Sequence, residues 1–134
     1  MSIFVNLTPH SIEVYPEEAF EGLEQFNPTT WYADSVDKTK ALASFPSEGM
    51  ARIATKTVDL APLLGIPLVA TTYGEATGIP VGLHPNDRLI VSLPMQTMAK
   101  ASGHPLAASM VSPFKVVRSR ADGSIVFGCM GFTY

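Results

Sequence analysis

Two arginines stand two residues apart in VVRSRADGSIVFGCMGF, the stretch from Val116 to Phe132, and an Asp-Gly pair follows them. Asp-Gly is the strongest short signal for a two-residue hairpin loop. With that loop Arg118 stands opposite Phe127 and Arg120 opposite Ile125, and directly opposed residues share a face. Arg118, Arg120 and Phe127 then make one set: two planar five-donor cations for phosphate beside a ring on which a base can stack. The same spacing also describes a solvated strand face whose arginines pair with Glu or Asp. The sequence leaves both readings open.

A second place for an anion is the passage from strand to helix in DRLIVSLPMQTMA. A helix starting near Ser92 to Pro94 directs free backbone N–H groups and a partial positive charge outward. Ser92 suits the cap, and Pro94 suits the first turn. An ordinary capped helix has the same sequence, since every helix has an N-terminus. Asn86 and Arg88, at the start of the strand leading there, complete the ligand-binding candidates.

No catalytic set accompanies them. His10, His84 and His104 each adjoin a proline and read as turn residues, without the spacing of a metal motif. Glu17 and Glu18 are adjacent, and Glu75 lies in a Gly-bounded turn. Gly-x-Ser-x-Gly, the phosphate-cradling Gly-x-x-x-x-Gly-Lys and a Cys–His signature are missing from the sequence. The expectation is a protein without catalytic residues, metal or cofactor.

The elements that must position these residues are mostly strands. SIFVNL and SIEVY, separated by Thr8-Pro9-His10, read as an opening hairpin. Residues 16–49 read as a loop excursion with a short helix at EEAFEGLEQF, carrying Trp31 and Tyr32 to an edge or a partner. MARIAT, PLVATTYG and DRLIVS read as strands, PMQTMAKAS as a short helix ended by Gly103, and KVVRSR with SIVFGCM as the closing hairpin. The fold expected is α+β, mainly β: a single domain, 1–134, with a small antiparallel sheet built from hairpins and one or two short helices.

Composition narrows the partners. The chain has 134 residues, enough to bury a core, and a net charge of −3, which argues against a broad nucleic-acid or membrane footprint. Charged residues are only 16% of it, so some surface is expected to be hidden in a homo-oligomer, with the segment around Trp31 as its contact. One cysteine, Cys129, suits a reducing compartment. The opening MSIFVNLTPH lacks the basic start and apolar core of a signal peptide, and no apolar run is long enough to span a membrane.

Four stretches taken in order, NLTPHSIEVY, FPSEGMARI, GIPLVATTYGEATGIP and LIVSLPMQTMA leading into VVRSRADGSIVFGCMGF, resemble a family of small phage and prophage proteins. The resemblance covers about two thirds of the chain; residues 16–44 look like an insertion. Through that family the chain resembles the Tad-type anti-Thoeris sponges. The resemblance implies a non-catalytic protein acting in the cytoplasm of the infected bacterium. It implies sequestration of a nucleotide-derived immune signal, of the cyclic ADP-ribose or cyclic oligonucleotide type. It also implies a homo-oligomer with pockets between subunits. Two other readings stay open: a virion or assembly component, and a small nucleotide phosphodiesterase using His10 or His84 as acid or base.

Overall fold

The computed structural model describes residues 3–134. The chain opens with β1 (Phe4–Asn6) and β2 (Ile12–Val14), followed by β3 (Phe20–Glu21), β4 (Glu24–Asn27), β5 (Thr30–Ala33), β6 (Ser35–Val36) and β7 (Ala43–Phe45). Two long strands come next, β8 (Arg52–Leu63) and β9 (Ile66–Thr77). β10 (Arg88–Ile90), α1 (Leu93–Ala101), β11 (Met110–Ser119) and β12 (Val126–Thr133) close the chain. The fold is α+β and mainly β.

The main sheet runs β1-β10-β11-β12-β2-β7, and β5, with β4 outside it, joins the far half of β11. It is a mixed sheet. β1–β10, β10–β11, β5–β11 and β12–β2 are parallel, whereas β11–β12, β2–β7 and β4–β5 are antiparallel. Its two ends curl together, with the Phe4 ring 5.4 Å from Phe45 and 5.3 Å from Phe132.

Asn6 explains why the opening strands do not form a hairpin. Its carboxamide oxygen accepts from the Thr8 amide and hydroxyl, while its nitrogen donates to the carbonyls of His10 and Phe45. This buried amide stitches a bend through Thr8 and sends the strands apart: β1 pairs with β10, β2 with β12 and β7. The side-chain bonds replace the ladder of a tight turn.

Residues 16–49 also differ from the expected excursion. Glu17–Ala19 make one 3-10 turn rather than an α-helix, and Gly22, at φ 64°, ends any helical run. The rest forms β3 to β7 and a further 3-10 turn. Trp31, half-buried, packs against a buried cluster of Tyr15, Ala19, Phe20, Ala33 and Val117.

A second cluster lies between the sheet and α1. Val5, Leu89 and Met110 alternate out of β1, β10 and β11 to meet Met95 and Ala99 on one helix face. Ser92 caps α1, accepting from the Met95 amide at 3.3 Å, and Pro94 sits in the first turn. β11 serves both clusters because it kinks. Lys115 has φ 53°, so the strand's start pairs with β10 and its end with β5.

The two-residue turn with positive φ occurs elsewhere than at Asp122-Gly123. Leu64 (φ 53°) and Gly65 (φ 76°) join β8 to β9, with Leu63 opposite Ile66.

Candidate functional site

The closing hairpin is present, but its register differs from the two-residue loop. Ser119 donates its amide to Ile125, leaving Arg120 to Ser124 as a five-residue loop. Asp122 accounts for this. Its carboxylate accepts from the Ser124 amide at 3.0 Å and hydroxyl at 2.6 Å, and its carbonyl accepts from Ile125. This Asx turn competes with the tight hairpin turn, and Asp122 and Gly123 keep negative φ. The Ser124 hydroxyl and then its amide hold the Asp122 carboxyl below the ordinary range. Arg120 turns its own amide to Ala33 on β5.

The longer loop shifts every partner. Arg118 faces Val126, Val117 faces Gly128, and Phe127 is left as the extra residue of a bulge. Phe127 packs against the cluster that buries Val117, and Val117 points to the opposite face from its neighbour Arg118. The expected set is therefore corrected: Phe127 belongs to the core face, not beside the arginines.

Another aromatic takes its place. The pairings run Glu24 to Tyr32 to Arg118 to Val126 across β4, β5, β11 and β12, so these four stand in one row on one face. Phe26 meets Tyr32 edge to face, ring centres 5.6 Å apart. Glu24, Gln25, Phe26, Tyr32, Arg120 and Gly123 line a cavity of about 550 Å³. Gly123 lies close against Tyr32: a Cβ there would stand 3.7 Å from the ring.

The two arginines have different company. Arg120 donates to Asp34 at 3.1 Å, to Glu24 at 3.3 Å and to the Gly22 carbonyl at 2.6 Å. That is the ion-paired, solvated arrangement the sequence also allowed. Arg118 donates to the Gly123 carbonyl at 3.0 Å, and among the described residues no carboxylate pairs with it. Arg118 does not itself line the cavity; it adjoins it through the Gly123 carbonyl and its register neighbour Tyr32, which do.

The other candidates lie elsewhere. Arg88 precedes Leu89, whose neighbour on β11 is Met110, eight residues before Arg118 and on the other side of the kink at Lys115. It donates to the Tyr134 hydroxyl at 2.8 Å and lies over that ring. Asn86 is exposed and gives its amide to His84 Nδ1. Ser92 opens onto a separate cavity of about 330 Å³ lined by Leu7, Met50, Arg52, Met95 and Met98 among others. Its hydroxyl oxygen accepts from the Met95 amide as the helix cap. These residues do not join Arg118 in one site.

His84 and His104 each accept a backbone amide at Nδ1 from two residues ahead. Among the described residues no group of three His, Cys, Asp or Glu is placed to hold a metal ion, and no helix is long and apolar enough to cross a membrane. Compared with protein families, curated proteins and solved structures, the chain matches none.

Proposed function

We propose that this chain is a binding protein that holds a small nucleotide-derived ligand, of the cyclic ADP-ribose or cyclic oligonucleotide type, without cleaving it. The observation that carries the reading is Arg118. Its guanidinium, without a carboxylate partner among the described residues, stands in one row with Tyr32, and Tyr32 lines a cavity that also presents Phe26. A ring for the base and guanidinium donors without a competing carboxylate for phosphate are what such a ligand requires. Arg120 contributes when phosphate displaces its exposed carboxylate partners, since surface ion pairs are worth only about 0–1 kcal/mol. In this reading the protein acts in the infected bacterium, sequestering a defence signal as a homo-oligomer.

The test is to incubate pure protein with cyclic ADP-ribose, or with a cyclic dinucleotide, and wash away what is unbound. The protein is then denatured by heat and the released material weighed by mass spectrometry. Intact ligand is the expected result; a hydrolysed product would make the protein an enzyme and overturn the proposal. The protruding β8–β9 ribbon favours a second reading, an assembly component of the particle. A stoichiometric band in purified virions would support that reading instead.

A further inference from the structure

β8 and β9 pair only with each other, twelve residues each. A lone two-stranded ribbon is marginally stable in water, so one this long needs a surface to lie on. Its register shows which side. After Lys56 with Thr72, one side carries Val58 with Ala70, Leu60 with Leu68 and, at the tip, Leu63 with Ile66, whereas the other side carries Thr55 with Tyr73, Thr57 with Thr71 and Asp59 with Val69. Alternation of this kind marks a strand with one buried side. Here that side is bare: Val58 is 44% exposed, Leu60 48%, Leu68 39%, Leu63 63%, Ile66 61% and the turn residue Leu64 92%.

We propose that the apolar side of the β8–β9 arm is the self-association surface of this protein, covered in solution by a second copy of the same chain. The exposed parts of the five residues on that side amount to roughly 450 Å², over half of the about 800 Å² per partner of a standard interface. The turn residue Leu64 and flanking residues of the arm would supply the remainder. Pro62 and Pro67 remove backbone donors near the tip, which disfavours strand addition at the edge and leaves stacking of sides. Arg52 and Lys56 are balanced by Asp59 and Glu75, so the arm has no basic stripe for an anionic lipid surface and no net charge to match a charged partner. Beyond Lys56, which stands on that side with Thr72, its outer half carries no charge, and an apolar patch of this kind can meet its own copy through a two-fold axis. The inference does not rest on the ligand reading.

Light scattering after size exclusion, at micromolar concentration, should give wild type a mass of at least two 14.4 kDa chains. The Leu60→Lys, Leu68→Lys double variant should fall to one chain while keeping the far-ultraviolet spectrum of a folded protein. A second pair decides the matter if that variant fails to fold: Leu60→Cys should be joined into dimers by a short bis-maleimide, and Thr57→Cys on the opposite side should not. Wild-type Cys129 is the control, since it is buried and burial pushes its thiol above the ordinary value. A single-chain wild type, a folded double variant with wild-type mass, or equal cross-linking from both sides would overturn the proposal. So would a monomer that sediments with phosphatidylserine vesicles, which would assign the arm to a lipid surface.

Discussion

Arg118 lies near the end of β11 and Arg120 opens the loop after it, and only Arg120 is compensated, by Glu24 and Asp34. Removing Glu24's charge therefore separates the binding account from a merely solvated face. Glu24→Gln should tighten binding of cyclic ADP-ribose a few-fold, because unit charges 4 Å apart in water interact by about 1 kcal/mol. Unchanged or weaker affinity by isothermal titration would place the phosphates away from this row. Asp87 answers a different question, that of acid stability. The His84 amide, and less strongly the Ile3 amide, hold its carboxyl below the usual value, against the opposing pull of burial. A depressed folded pKa contributes stability that is present above the unfolded value, near 3.9, and lost as pH falls through the folded one. The melting temperature of Asp87→Asn should therefore lie below wild type at neutral pH and approach it in acid. Thermal melts from pH 6 downward check this; parallel curves would show that Asp87 is not the titrating group.

At the scale of elements, the close approach of β12 to β2 depends on Gly128, where a Cβ would meet the Glu13 carbonyl at 2.7 Å and the Tyr15 ring at 2.8 Å. Gly128→Ala must push these strands apart. The expected cost is about 1–3 kcal/mol, as for other overpacked sites, read from urea unfolding. A midpoint equal to that of wild type would contradict the packing described. Much of this layer was legible in the sequence. The capped helix at Ser92, the strands at MARIAT, PLVATTYG and DRLIVS, and the closing hairpin all follow from local pattern and turn chemistry. What local pattern does not carry is pairing between distant strands. The parallel neighbours of β11 lie far away in sequence, so Tyr32 gave no sign that it would stand beside Arg118. Phe127 was misplaced for a related reason. Asp-Gly names a turn but not its length, and the Ser124 hydroxyl drew Asp122 into the longer loop.

For the whole molecule, a core protects the inner faces of the sheet while two surfaces stay open: the Tyr32–Arg118 row and the apolar arm. A low charged fraction fits a chain that covers one of them with its own copy. The central claim concerns the other surface, and isothermal titration of cyclic ADP-ribose at several salt concentrations tests it most directly. Wild type should bind, and weaken as salt shortens the screening length from about 10 Å at 0.1 M to about 3 Å at 1 M. Tyr32→Ala should lose about 1–3 kcal/mol, the usual worth of a stacked base, and keep the salt slope. Arg118→Ala should lose about 1.5–3 kcal/mol, as for a hydrogen bond to a charged group, together with part of that slope. An Arg118→Ala variant with the affinity and salt slope of wild type would contradict the account, placing the phosphates outside the row.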